Sequence, residues 1–555
     1  MHDHGRQPSA VRFVPDGALA GVSRLFVGGV VADTQRNSPF SCDLMWLDCG
    51  ASPPCKLLEH SLNRRNFIAG TAAAFSSLVG GLRAGVTEDQ PFNANAVRQQ
   101  AQELARKPYK APDQSLPDQF KNVDYDAYRT IRFRPEQALW RAEKLPFQLQ
   151  FFHRGWIFKD RVQIHVVSDG RAQLVAYSPD LFDFGQAKPP PREADLGFAG
   201  FRMHARINRP DYFDEVGVFL GASYFRAVAK GQVYGMSARG LSIRTADPKG
   251  EEFPAFTNFW IEQPAPDTNS LVVHALLDSP SAAAAFRFTI RPGETTIYDT
   301  ELALYPRTDL GESGIATGTS MFLFDASDRL DVDDFRPAVH DSDGLAIRNG
   351  RDEEIWRPLQ NPRELQLSYF NDVNLRGFGL MQRERDFESH FEKRPSLWAE
   401  PIGDWGEGFV QLVEIPTKEE IHDNIVTFWR PKESLKAQGE YFFTYRLHWG
   451  RDQPNPKQLA RFAKTSIGAG GSGKRRFVLE AVGLRPSLDP GEIKPTVTAS
   501  KGEIQNLLLQ PNPMTGGMRL SFELDTKNER LIELRSQLKE RDVAVSETWL
   551  YRWTR

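Results

Sequence analysis

An all-β fold is expected for most of this 555-residue chain, and three observations predict it. The 38 Phe, 13 Tyr and 11 Trp supply rings that suit pleated, half-buried surfaces. The 37 Pro and 43 Gly supply tight turns between short segments. From Phe147 onward, short runs alternate apolar and polar residues at the period of strands, without intervening helical patterns. At about 100–200 residues per domain the length allows two to four domains, each able to bury a core. Charged residues make up 25% of the chain and the formal balance is −3, so no basic footprint points to a nucleic-acid partner.

The first element is an export address. Asn63-Arg64-Arg65-Asn66-Phe67-Ile68 precedes the small, apolar run Ala69 to Leu82 and then Arg83-Ala84. Twin arginines before a mildly hydrophobic stretch are read by the twin-arginine system, which carries folded proteins across the bacterial inner membrane. The run is shorter than the ~20 apolar residues of a membrane span. The competing reading is a short buried helix beginning at Asn63. Residues 1–84 are therefore taken as an N-terminal extension plus signal, the extension being either a start codon placed too early or a disordered segment. Cys42, Cys49 and Cys55 all precede the signal, so a chain cleaved near Ala84 carries no cysteine for disulfides, thiolate metal sites or nucleophiles. It keeps 61 basic and 66 acidic residues, a balance of −5.

A large β-sandwich is expected over residues 85–450. Its only convincing helix opens at Asn93, with Val97, Ala101, Leu104 and Ala105 at helical spacing, and ends at Lys107-Pro108. A second short helix is expected around Pro135–Trp140. Strand-like runs follow at Phe147–Phe152, Val162–Val167, Ser270–Leu277, Ala285–Ile290, Thr295–Tyr305, Leu365–Phe370, Gly408–Glu414, Asn424–Trp429 and Glu440–Trp449. Residues 451–473, with Pro454, Pro456 and the run Gly468-Ala469-Gly470-Gly471-Ser472-Gly473, are expected to be a linker or lid. Residues 474–555 alternate again and have the length of one immunoglobulin-like sandwich.

Four polar clusters interrupt the strand pattern, at Val339–Leu345, Asn371–Phe387, Arg394–Gly406 and Glu414–Ile425. Loops on a rigid β scaffold commonly hold ligands, and these clusters place carboxylates beside aromatics and arginines. That is the chemistry of a sugar cleft, where rings stack on apolar sugar faces and charged groups take the hydroxyls. The plainer reading makes each Asp a turn cap and each Trp a core residue. Tyr369, Arg383, Trp398 and Trp405 are the candidate sugar contacts. Asp341, Asp343, Asp372 and Asn374 have a spacing faintly like a calcium loop but lack its downstream glutamate, so no metal is expected. Neither a Walker loop, a G-x-S-x-G elbow nor H-E-x-x-H occurs, and no cofactor is expected.

The stretches Asp195–Arg202, Phe219–Ala227, Tyr234–Leu241 and Arg394–Trp398 closely resemble the periplasmic glucan biosynthesis protein G/D family, from about Phe147 to Tyr551. The twin arginines look more like its D branch. The resemblance implies a galactose-mutarotase-like sandwich followed by an immunoglobulin-like one, and a role in making osmoregulated periplasmic glucans with β-1,2-linked backbones. It also implies likeness to inverting endo-β-1,2-glucanases. The family's His-Asp-Ser-Asp and Asp-Asn-Ile motifs match Asp341 and Asp423 here, with Asp423 assigned as acid and Asp341 as base. The D-type members look longer after the position of Trp449, where Arg451 to Lys474 is short and glycine-rich, so a weaker lid and a slower rate are expected. The resemblance implies a periplasmic protein whose partners are β-1,2-glucan and the inner-membrane glucan synthesis machinery. The alternative is a non-catalytic scaffold that holds nascent glucan for the membrane glucosyltransferase.

Overall fold

The computed structural model describes residues 87–555 apart from 330–331, 386 and 388–391. The twin arginines, the three cysteines and the cleavage position lie outside the described residues.

Two sheets form the large sandwich. One sheet of ten strands runs in the order 366–373, 407–414, 425–431, 313–320, 237–239, 224–227, 214–220, 198–205, 147–153, with 242–243 added alongside 313–320. The other, of sixteen strands, passes through 255–262, 271–278, 282–291, 296–306, 441–450, 396–402, 377–381, 344–348 and 354–358. Their facing surfaces carry the aromatics that dominate the composition. Phe219, Phe225, Phe288, Tyr298 and Trp449 form a continuous ring stack, Phe225 lying parallel to Tyr298 at 5.8 Å and Tyr298 tilted against Trp449 at 4.9 Å. Such offset and edge contacts add to the apolar burial itself.

The expected helix is Ala94–Ala105, capped by the Asn93 side chain, which accepts from the Ala96 amide at 3.0 Å. Val97, Ala101 and Ala105 pack on Ala283, Ala285 and Ala303, small residues that let the helix lie close on the outer face of the larger sheet. Arg307 closes its C-terminus, donating to the carbonyls of Leu104 at 2.7 Å and Lys107 at 3.0 Å. The second expected helix is a single 3-10 turn, Pro135–Gln137.

Residues 461–469, expected in the linker, instead form a strand paired with 475–482. With 503–512 and 517–525 they make a four-stranded sheet, which faces the strands 493–499, 531–540 and 548–554. Those facing strands are the end of the sixteen-stranded sheet. The join is a parallel pairing in which Ile355 opposes Thr548 and Trp356 opposes Trp549. Trp356, Met381 and Trp398 of the large sandwich therefore share a core with Phe477, Phe522, Trp549 and Tyr551 of the small one. Beside the join, the fully buried pair Arg357–Glu414 meets at 3.1 Å, with Arg357 5.6 Å from the Tyr551 ring centre.

Candidate functional site

The short segment Ser320-Met321-Phe322 organises the site, because both candidate aspartates flank it. On one side, the two-residue strand Val339–His340 pairs with Phe322–Phe324, and His340 stacks on Phe322 at 5.6 Å. The Asp341 amide then donates to the Met321 carbonyl at 2.8 Å, and the Ser342 and Ser320 hydroxyls meet at 2.7 Å. On the other side, the Asn424 side chain accepts from the Phe322 amide at 2.8 Å and donates to the Phe322 carbonyl at 2.9 Å. Asp423 precedes that clamp by one residue, as Ile425 enters its strand opposite Ser320.

Each aspartate carries its own arginine, and both arginines reach the segment Tyr234–Ser237. Arg394 Nε lies 3.3 Å from Asp341 Oδ1, and its guanidinium also donates to the Tyr234 carbonyl. Arg226 Nη2 lies 3.6 Å from Asp423 Oδ2, while its Nε donates to Ser237 Oγ at 2.6 Å. Ser237 in turn opposes Thr319, next to Ser320. The two carboxylates are thus hung from one frame, but in unequal surroundings. The Asp341 side chain is 8% exposed, whereas the Asp423 side chain is 23% exposed.

Behind Asp423 lies a buried polar layer. Arg239 sits over the Tyr224 ring at 4.8 Å and pairs with Glu251 at 2.6 Å. Burial pushes the Tyr224 phenol up to about 12, Arg239 opposing and the Asp423 charge adding to the shift, so the phenol keeps its proton at neutral pH. Asp343, two residues from Asp341, accepts from the Glu384 amide at 2.7 Å and faces His340 Nδ1 at 3.3 Å. It holds the turn together rather than facing the frame.

The four candidate sugar contacts are placed differently. Tyr369 is 48% exposed on the edge strand 366–373, its ring edge-on to Phe409 at 5.2 Å. Trp398 is 1% exposed within the core of the small sandwich, and Trp405 is 8% exposed, wedged edge-on against Phe443 and Tyr445 with its indole N–H on the Thr444 carbonyl. Neither ring has a face for a sugar to stack on, so both are corrected to packing residues. Arg383 is corrected likewise. Its guanidinium pairs with Glu547 at 2.6 and 2.9 Å and lies 3.5 Å from the Trp356 ring centre, tying the two sandwiches together. Sequence reasoning missed Arg226, Arg239, Arg394 and Asn424 as site residues. The signal for Arg226 was a lone arginine in an otherwise apolar strand run, Tyr224-Phe225-Arg226-Ala227, and Arg394 and Asn424 fell within the polar clusters without being singled out.

A family model described as periplasmic glucan biosynthesis protein, MdoG, matches residues 92–553. The chain belongs to this family. Similar relatives named Glucans biosynthesis protein G include one from Bradyrhizobium diazoefficiens, 58% identical over 502 residues, or 89% of this chain and 100% of the relative. One from Rhodopseudomonas palustris is 61% identical over 470 residues, covering 83% of this chain and 93% of its own. One from Vibrio cholerae is 50% identical over 477 residues, covering 83% and 87%. These relatives carry the G name and give no support to the expectation of closeness to the D branch. That expectation leaned on the twin arginines, which lie outside residues 92–553.

Proposed function

We propose that this member of the periplasmic glucan biosynthesis family is an inverting endo-β-1,2-glucanase that trims the glucan backbone in the periplasm, beside the membrane machinery that makes it. The observation that supports this reading is the pair Asp341 and Asp423, each held by an arginine and both fixed to the segment Ser320–Phe322. Inversion uses one carboxylic acid to protonate the leaving oxygen and one carboxylate to activate water on the opposite face. Asp423, the more exposed, is assigned the acid and Asp341 the base. Tyr369 offers a ring for a sugar face. One observation favours a glucan-holding scaffold instead: Asp341 is nearly buried and ion-paired, as a structural carboxylate would be.

The test is Asp423→Asn, assayed on linear β-1,2-glucan for both oligosaccharide release and binding. Binding should survive while hydrolysis falls by ~10²–10⁴-fold, and the unmodified enzyme should release the α anomer first. A wild-type protein that binds glucan but releases nothing supports the scaffold, and first release of the β anomer excludes inversion. Export by the twin-arginine route belongs to the same proposal. Replacing Arg64 and Arg65 by lysine should leave the precursor in the cytoplasm, and undiminished periplasmic protein would refute that route.

A further inference from the structure

The turn at 325–329 belongs to the large sandwich but lies against the small one, where the Ile467 amide of strand 461–469 donates to the Ala326 carbonyl at 3.4 Å. At this seam a cavity of about 20 Å³ is lined by Asp325, Asp343, Trp356 and Glu384 from one side and by Lys464 and Thr465 from the other. That is room for one water. We propose that the carboxyl groups gathered there form a proton-operated latch between the two sandwiches, closed while they hold protons and released when they ionise. The parallel join of 354–358 with 548–554 stays paired and serves as the hinge. The latch does not depend on what the aspartate frame binds.

Four carboxyl groups crowd the seam. Asp325 Oδ1 accepts from the Ser327 amide and hydroxyl, each at 2.6 Å, while Asp328 accepts from the Asp325 amide at 3.1 Å and the Asn361 amide at 2.9 Å. Asp343 and Glu384 come from the neighbouring loops, the Glu384 amide donating to Asp343 Oδ2 at 2.7 Å. Asp343 is 9% exposed, and its Oδ1, 3.3 Å from His340 Nδ1, accepts no hydrogen bond. Opposing charge is sparse. Lys464 Nζ stands 4.0 Å from Glu384 Oε1, and Arg329 turns away onto the Phe324 ring at 5.2 Å and the carbonyls of Asp334 and Arg336. Arg357, over the Tyr551 ring, is already paired with Glu414, whose own charge faces Asp328.

Ionising this cluster sets like charges against each other where little water reaches them. Burial, with Asp343 adding to it, raises both the Asp325 and the Glu384 carboxyls, and burial followed by Asp325 brings Asp328 up to about 8. The closed seam therefore keeps protons at neutral pH that the same groups, once hydrated, release above about 4. Opening releases protons, so its equilibrium constant climbs as pH rises from about 4 and levels off above about 8. The motion also reaches the frame. Asp343 stands two residues beyond Asp341, its amide donating to the Met381 carbonyl at 2.8 Å and its carbonyl accepting from the Leu359 amide at 2.9 Å, so a seam that opens pulls on the segment carrying Asp341.

A chain cleaved near Ala84 carries no cysteine, so one introduced thiol reports on one place. The test labels Thr465→Cys, buried on the cavity wall, with an aromatic disulfide reagent from pH 6 to pH 9 and divides each rate by that of an unhindered thiol. The corrected rate should rise about 10- to 50-fold between pH 6 and pH 8 for one proton released, then level off. Val273→Cys, buried in strand 271–278 of the large sandwich, reports global unfolding and should react more slowly at every pH. Asp328→Asn placed in the Thr465→Cys protein should remove most of the rise, and Asp325→Asn is the second variant, with the same expected result, if the first fails to fold. A corrected rate that is flat with pH, one that matches Val273→Cys throughout, or a rise that the folded Asn variants leave intact would each overturn the latch.

Discussion

Arg357 and Glu414 form an ion pair with almost no access to water, and the two ways of breaking it should not cost the same. The pair meets at 3.1 Å, Glu414 Oε1 also accepts from the Gln360 amide at 2.9 Å, and Arg357 donates to the Pro358 carbonyl. Leaving one member of a buried pair alone generally costs about 3–5 kcal/mol. Glu414→Gln should show that full cost, because a guanidinium does not release its proton. Arg357→Met leaves a carboxyl that burial already holds above the usual carboxylate range, so it can neutralise itself by taking up a proton. The folded chain then retains a proton that the unfolded chain releases above about 4.5. Stability of Arg357→Met relative to wild type should accordingly be best in acid and decline as pH rises through that window. The double variant Arg357→Met/Glu414→Leu should recover most of the loss, since apolar replacement of a buried pair is often neutral or stabilising. Urea unfolding followed by tryptophan fluorescence at pH 5 and pH 8 would measure all four proteins. A deficit for Arg357→Met that shrinks with rising pH, or a double variant as unstable as the worse single one, would refute the reasoning.

Three further perturbations have defined outcomes. Arg394→Lys keeps the charge but gives up the planar fork that reaches both Asp341 and the Tyr234 carbonyl, so hydrolysis should drop by about 10²-fold with little change in glucan affinity. Glucan assays run in parallel for rate and binding would show an unsplit loss if the arginine were merely structural. Burial, and then the neighbouring Asp325, push the Asp328 carboxyl up to about 8, so the folded chain holds a proton between roughly pH 4 and 8 that the unfolded chain lacks. Thermal melts of wild type should therefore lose stability as pH rises across that range, with a shallower slope in Asp328→Asn. In Gly344→Ala the new Cβ would run into the buried Trp356 ring, and calorimetric unfolding should register a loss of about 1–3 kcal/mol.

What was readable in the sequence followed from local period and local caps. Alternation located runs such as Ala285–Ile290 and Thr295–Tyr305, and Asn93 followed by apolar residues at helical spacing located the helix. Trp398 was misread because its partners lie far along the chain. Beside Arg394 and Glu400 it resembles a sugar platform, and only Phe477, Phe522 and Trp549 show that it is core. The strand 461–469 was hidden for a different reason. A register shift between Phe462 and Lys464 breaks its alternation, and the glycines that follow suggest a linker. Asp341 and Asp423 stood out within short motifs, but their arginines did not, because Arg394 meets the Tyr234 carbonyl across 160 residues of chain. Pairing of that kind is a property of the fold, which no local window contains.

The parallel join between Glu354–Pro358 and the last strand, Thr548–Thr554, constrains how the protein can be made. A ribosome finishes residue 358 long before it reaches residue 548. At ~5–20 residues per second the sheet edge formed by 354–358 waits roughly 10–40 s for its neighbour. During that interval Trp356 and Trp398 lack the rings that cover them in the finished chain, and the exposed edge is open to pairing with another molecule. Vectorial synthesis therefore leaves the large sandwich unfinished until the C-terminus emerges. A chain that stops just short of Thr548 is accordingly an open-edged sheet rather than a shorter version of the same protein, and loss of its last few residues weighs on the whole molecule.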